Sequence, residues 1–419
     1  MNLYIKRPIA IEISPNTAFD DVRIAWGIFF TPWRYINGNS VMLLEQWFRQ
    51  YFSVSSAISF VSGRGSLFII LQALGVNKDD EVIIQSFTCA VVPNAIIARG
   101  AKPIYVDINL SLTMDPDKLE KEITKKTKAI IVQHTFGIPS DIEKIVSIAN
   151  KYEIPIIEDS AHVIGGIWKN KKLGSIGKVG FFSFGRDKAF SSVFGGMVIT
   201  NDIMFGKKIR YLHRVQKNPS FLWILQQLFH PIAFYIILPL YDTLYIGKVI
   251  LIILQKLHFL SFSVTNKEKD GGFEKIFLSK LPNALAILAL HQVRKIKEYN
   301  AKRNSITELY IKELSDPMFS FPWRVSSSLL RFPVLINGNR DDLMLFMKKH
   351  NIYLGNWYTE CIGPSGTDFE KIYYQRSNFP ISLMISQKII NLPTYPTMKI
   401  ADAKRIIQVL QIYARNKRS

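Results

Sequence analysis

Two short apolar runs, Ile154–Ile157 and Val179–Phe184, constrain this chain more than any other feature, because each reads as a buried strand that ends in polar chemistry. The first delivers Glu158, Asp159 and His162. The second delivers Ser183, then Arg186, Asp187 and Lys188, then the pair Gly195-Gly196. In an α/β protein, ligands bind where strands end. A carboxylate at one strand end and a lysine just past another suit an aromatic nitrogen cofactor. The carboxylate keeps a pyridine nitrogen protonated, and the lysine amine forms a Schiff base with an aldehyde. That is the chemistry of pyridoxal phosphate. Taken singly, Lys188 reads as a surface lysine, Asp159 as a helix cap and Ser183 as a core serine; their order and spacing favour the cofactor.

The rest of the chain supplies a scaffold of the matching kind. Ala57–Val61 reads as a strand running into Ser62-Gly63-Arg64-Gly65-Ser66 and a helix with Leu67, Ile70, Leu71 and Leu74 at helical spacing. Glycines between strand and helix let backbone amides approach a phosphate, although Gly63-x-Gly65 alone equally describes a plain turn. Glu81–Gln85, Pro103–Val106 and Ala129–Val132 read as further strands. The last leads to His134, a candidate to line a site. Ser140 and Glu143 form a capping box that starts a helix with Ile142, Ile145, Ile148 and Ala149 on one face. Regular alternation of this kind predicts an α/β fold with a mostly parallel sheet. Residues 1–40 read as irregular. Residues 282–314 read as one long helix, Leu329–Ile336 and Asn351–Trp357 as strands, and Asp341–His350 as a helix. Trp357 and Tyr358 read as core residues first and substrate contacts second.

The order Asp159-Ser160-Ala161-His162, Phe182-Ser183-Phe184, Lys188 and Gly195-Gly196 resembles the DegT/StrS-type nucleotide-sugar aminotransferases. The resemblance runs from about Glu45 to the C-terminus, apart from an insertion. It implies a fold-type-I pyridoxal phosphate enzyme, with a large sheet domain over 1–300 and a smaller α/β domain over 301–419. It implies a homodimer, an amino-acid donor such as glutamate, and a nucleotide-linked keto sugar as acceptor. Carried over residue by residue, it makes Lys188 the Schiff-base lysine, Asp159 the pyridinium partner and His162 the neighbour of the ring's phenolic oxygen. Ser183 binds phosphate, and Arg64 and Gly65 lend amides to it. Three positions depart from the family. Arg64 stands where a threonine is usual, and Cys89 stands where an aromatic stacks on the ring. Leu278-Ser279-Lys280 replaces an Asn-x-Arg element, with Lys280 as a cruder charge contact. A histidine at position 188 would mark the dehydratase branch; the lysine argues against it. Two other classes stay open: a non-catalytic binding or sensing protein on this scaffold, and a dinucleotide-dependent oxidoreductase. The second lacks a full Gly-x-Gly-x-x-Gly, since Phe68 holds the last position.

Composition matters most around 219–262. Pro219–Tyr241 contains no charged residue, and Ile246–Leu260 is nearly as apolar. Gln226, Gln227, His230, Pro231 and Pro239 argue against a simple membrane span. The aromatics Trp223, Phe229, Phe234, Tyr235, Tyr241 and Tyr245, with basic flanks, suit a helix pair lying in a membrane interface. An insertion packed on a partner subunit or over the active site fits as well. The net charge of +20 points to a membrane surface or to anionic substrates such as nucleotide diphosphates. No basic helix with interleaved aromatics suggests nucleic acid. Two cysteines, Cys89 and Cys361, give no disulfide framework and no metal pattern. The expected location is the cytoplasm, at the inner membrane face if the insertion meets lipid. The start MNLYIKRPIAIEI reads as lacking a signal peptide.

Overall fold

Seven of the apolar runs pair into one sheet in the computed structural model, which describes residues 8–11, 15–241, 246–323 and 328–418. In chain order these strands are β1 (Ser56–Phe60), β2 (Glu81–Gln85), β3 (Lys102–Val106), β4 (Thr127–Gln133), β5 (Ile156–Asp159), β6 (Val179–Ser183) and β7 (Gly196–Thr200). Their spatial order is β1-β7-β6-β5-β4-β2-β3. All neighbours run parallel except that β7 is antiparallel to both β1 and β6. Nearly every residue of β5 and β6 is buried. A sheet covered by helices on both faces requires that, and it is why these strands read as unbroken apolar runs. Because six strands point the same way, Gln85, Gln133, Asp159 and Ser183 arrive at one edge of the sheet. The α/β expectation with a mostly parallel sheet holds.

The described part of the first forty residues is not irregular. Phe19–Phe29 is a helix, α1, that buries Val22, Ala25 and Ile28 on one side. Asp21 starts it: its carboxylate accepts the Ala18 amide at 2.8 Å. Asp20 receives His291 and Lys295, both at 2.8 Å, and so ties α1 to the far end of the sequence. Helix α2 (Gly63–Leu74) begins directly after β1, with Ser62 as its cap. Helix α3 (Ile142–Lys151) is capped by Asp141, which accepts the Lys144 amide, and not by Ser140. The Ser140 hydroxyl donates instead to the Gln133 carbonyl at 2.7 Å. Two neighbouring residues could each cap, and the strand end claimed the first.

The apolar stretch folds as two helices, α4 (Phe221–Ile237) and α5 (Ile246–Lys256). Gln227 and His230 point inward and are buried. Among the described residues no helix is long and apolar enough to cross a membrane. Tyr245, and most of the N-terminal stretch read for a signal peptide, lie outside the described residues. The segment read as one helix over 282–314 is two, α6 (Asn283–Val293) and α7 (Ile296–Glu313), broken at Arg294-Lys295 without proline or glycine. The division at 300/301 falls inside α7, whose Tyr299 packs with the sheet core and whose Ile306 and Tyr310 pack with the C-terminal core.

That second core surrounds a three-stranded antiparallel sheet of Phe319–Ser320, Arg331–Ile336 and Ile389–Pro393. The final helix, Ile400–Arg418, covers it with Ile406, Ile407 and Leu410. Helix Arg340–Lys349 matches expectation. The strand expected over Asn351–Trp357 shrinks to Ile352–Tyr353, which pairs with Ile9–Ala10. Beyond it the chain turns away from the sheet, and this turn carries Trp357 and Tyr358 into the site.

Candidate active site

The edge where β4, β5 and β6 end opens into a cavity of about 380 Å³. Asp159, His162, Ser183 and Lys188 all line it, as do Arg64 and Cys89. Asp159 is the last residue of β5 and is 4% exposed. One carboxylate oxygen accepts the Ala161 amide at 3.0 Å. Burial pushes this carboxyl above its ordinary range, while the Ala161 amide and the Lys188 charge pull it back. The Lys188 amine faces the same cavity, and among the described residues no hydrogen bond or ion pair engages it. Enclosure holds it below the usual lysine range, with Cys89 and Asp159 opposing.

Lys188 is held by its backbone. Asn16 donates its side-chain amide to the Lys188 carbonyl, and the Lys188 amide donates to Gly185 at 3.1 Å. Arg303, from α7 and 1% exposed, donates to the neighbouring Ala189 carbonyl at 2.5 Å and to Asn16 at 3.4 Å. Gln292 accepts the Ser191 amide at 2.7 Å. The lysine-bearing loop is thus pinned by residues more than a hundred positions away, among them Asn16 in the segment read as irregular. Sequence periodicity carries no signal for such contacts.

His162 sits in a stack of rings. Its imidazole lies 5.8 Å from Phe136 and 5.3 Å from Trp357, nearly coplanar with the first. Its Nδ1 accepts the Phe136 amide at 3.1 Å, which puts the proton of the neutral ring on Nε2. Burial, then the positive charges of Lys188 and Arg331, hold its pKa well below the usual histidine range. Trp357 also meets two cations: Lys188 Nζ lies 4.7 Å from its ring centre, and the Arg331 guanidinium 3.5 Å. Trp357 and Tyr358 therefore line the site as well as packing the core. His134 does not reach the cavity. It is fully buried, with Nε2 on Glu158 at 3.1 Å and Nδ1 accepting the Ser140 amide at 3.2 Å.

The turn before α2 differs from expectation in one detail. Gly63 lines the cavity, and a Cβ there would stand 2.9 Å from that of Ser183. Gly65 lies behind the lining. Its amide donates to Ser62 Oγ at 3.0 Å, and a Cβ on it would meet the Phe277 carbonyl oxygen at 1.7 Å. The glycine serves a close backbone approach, made by the protein itself. Arg64 pairs with Glu268, donates to the Ser263 carbonyl at 2.7 Å and covers the Phe277 ring at 4.4 Å, so its charge is already matched. Burial raises the Cys89 thiol, leaving a neutral sulfur in the wall. Phe87 is fully buried elsewhere, and the cavity's aromatic surface comes from Trp357 and Tyr358. Gln133, at the end of β4, is a lining residue that sequence reasoning passed over; its Oε1 accepts from Thr88 at 2.5 Å. Lys280 bridges to Phe60 beside β1.

An enclosed amine, an enclosed carboxylate, a neutral imidazole and the start of a helix around one cavity fit a phosphorylated pyridine aldehyde in size and donor set. The comparisons agree. The sequence profile of the DegT/DnrJ/EryC1/StrS aminotransferase family matches residues 31–221 and 254–411. An uncharacterized protein of Methanocaldococcus jannaschii is 26% identical over 97% of this chain and 96% of its own. A putative sugar aminotransferase from Streptococcus pneumoniae, solved in its PLP form, superposes with a TM-score of 0.75 at 19% identity, over 97% of this chain and 99% of that one. DesI, solved in the presence of its TDP-sugar product, gives 0.74 at 19% identity, over 98% and 93%. The fold and site define a pyridoxal phosphate-dependent aminotransferase. The chain belongs to the DegT/DnrJ/EryC1/StrS family. Family membership sets aside the oxidoreductase reading.

Proposed function

We propose that this enzyme moves an amino group from an amino acid, glutamate in the simplest case, to a keto group on a nucleotide-linked sugar. The observation that carries the reading is the pairing of Lys188 and Asp159 across one cavity at the sheet edge. Pyridoxal phosphate, when bound, supplies a carbonyl that condenses with amines and a ring that takes up carbanion charge.

The chain's own residues supply the rest. Lys188, with its amine held below the ordinary range, is a free base in a larger fraction of molecules at neutral pH. It can take a proton from the donor α-carbon and return it nearby. Asp159 would offer its carboxylate to a protonated ring nitrogen, and a cation beside it would oppose the upward push of burial. His162, neutral with its proton on Nε2 beside the Tyr358 hydroxyl at 3.4 Å, would lie next to a bound ring without adding charge. Ser183, with the α2 N-terminus at Gly63, suits the phosphate. Trp357 and Tyr358 keep water from one wall.

The sugar-nucleotide reading draws support from the family and from DesI, whose crystals held a TDP-sugar product. A homodimer accords with the fold-type-I resemblance. The test is turnover: purified protein, pyridoxal phosphate, glutamate and a panel of nucleotide-linked keto sugars, read by mass spectrometry for an amino sugar. Amination of free keto acids alone, with every nucleotide sugar inert, would overturn the acceptor assignment.

A further inference from the structure

Burial divides the apolar hairpin into two unequal parts. Helix α4 sinks Ile224, Leu228 and Ile232 into the main core and packs along α1. Helix α5 fully buries only Gly247. One side of α5, with Ile250, Leu251 and Leu254, rests on a small cluster around Phe234 and Ile237. The other side carries Ile246, Val249, Ile253 and Leu257 outward, each between 41% and 60% exposed. A helix apolar on both sides demands a second apolar contact.

Helix α1 extends the same kind of surface. Phe19, Trp26 and the adjoining Phe30 are exposed at helical spacing, with exposed Arg23 among them. The Phe19 ring lies 5.7 Å from Tyr235 of α4, itself exposed. Trp33 is 67% exposed and stands beside Arg34, also exposed.

Charge decides what covers this face. Among the described residues, the exposed charged side chains on α1, α4, α5 and their immediate flanks are Arg23, Arg34, Lys217 and Lys256, all basic. A second copy of the same face would bring like charges together, whereas anionic headgroups would neutralise them. Exposed tryptophan, phenylalanine and tyrosine interleaved with arginine make an interfacial surface, and helices this short lie along a bilayer instead of crossing it. The family profile skips 222–253, so most of the hairpin lies outside the shared catalytic scaffold.

We propose that the face built from α1, α4 and α5 docks on an anionic lipid bilayer, a property separate from the reaction assigned above. The docked segment leads straight into the site. Ser261, just past α5, accepts Arg186 through its carbonyl at 2.6 Å and its hydroxyl at 2.7 Å, and donates to Gln227 of α4 at 2.8 Å. Ser263 and Val264 then line the cavity. Docking thus sets the cavity wall close to the membrane surface.

Vesicle flotation of the full-length holoenzyme tests this, with neutral phosphatidylcholine vesicles against vesicles containing phosphatidylglycerol. The protein should float with the anionic vesicles and bind the neutral ones about tenfold less. Ile253→Glu with Leu257→Glu, and separately Trp26→Glu with Phe30→Glu, should each cut the bound fraction about tenfold. Arg23→Glu, a surface change that leaves packing intact, should cut it about fivefold. Circular dichroism and size-exclusion chromatography confirm that the variants are folded. Wild type that fails to float with anionic vesicles overturns the proposal, and variants that then lose their oligomeric state assign the face to a second copy. Flotation that survives all three changes overturns it too.

Discussion

The Lys188 amine lies 4.7 Å from the centre of the Trp357 ring, although the two residues are 169 positions apart in the chain and sit beside different sheets. The indole is the face against which the amine is held, and the same indole stacks on His162. The ring fixes where the amine sits, and a reacting group shifted out of place loses rate. Replacing Trp357 with alanine should lower amino transfer about tenfold, whereas phenylalanine, which keeps a ring, should stay within about threefold of wild type. Steady-state rates with glutamate as donor check this; equal rates in the two variants would contradict it.

Asn16 and Arg303 act on Lys188 through its backbone. Asn16→Ala removes the donor to the Lys188 carbonyl and the acceptor for Arg303. Small misplacements of a reacting group cost rate while substrate contacts stay in place. Asn16→Ala should therefore lower kcat by about tenfold or more with KM nearly unchanged. A raised KM with unchanged kcat would instead put Asn16 in substrate binding.

Glu158 is a structural keystone beside the site. Its fully buried carboxylate accepts the amides of Gly174 at 2.8 Å, Ile176 at 2.5 Å and Gly177 at 2.6 Å, and it meets His134 at 3.1 Å. Glu158→Ala strands all four partners and should destabilise the protein by about 3–5 kcal/mol. Glu158→Gln keeps acceptor capacity and should cost about 1–3 kcal/mol. Urea midpoints separate the two. Equal midpoints for the two variants would contradict the network.

His162 gives stability a pH dependence of definite sign. Burial depresses its folded pKa well below 6.5, so above the unfolded value near 6.5 both states hold it neutral and no penalty arises. As pH falls below 6.5 the unfolded chain takes up a proton that the folded one refuses, and stability falls by up to about 1.4 kcal/mol per pH unit for each such group. His230 is shifted in the same direction by burial, and His213 down to about 4. His162→Asn should flatten the slope of unfolding free energy between pH 6.5 and 5 by one group's share. A slope unchanged from wild type would mean that His162 does titrate in the fold.

What could be read in advance follows from where the information sits. Buried parallel strands must be apolar, so β2, β4, β5 and β6 announce themselves, and the residues at their ends, Asp159 and Ser183, come with them. Lys188 follows by proximity in sequence. Helix α1 is hard to read from sequence because Ala18 is no typical cap, although Asp20-Asp21 followed by Val22, Ala25 and Ile28 is a usable signal. The break between α6 and α7 carries neither proline nor glycine. The turn around Gly65 suggests a phosphate site, yet the glycine makes room for Phe277, a neighbour 212 positions on that no local pattern reveals. Asn16, Arg303 and Trp357 belong to the same class. Each is set by tertiary contacts that leave no mark on spacing.

The proposed chemistry requires that Lys188 be the residue that meets the cofactor. Incubation with pyridoxal phosphate, borohydride reduction and peptide mass spectrometry address that claim directly. A visible absorption band lost on reduction, with a phosphopyridoxyl group on the Lys188 peptide and none in a folded Lys188→Ala variant, is the predicted result. Folded wild-type protein that shows no band and no adduct, or an adduct on a different lysine, would contradict it.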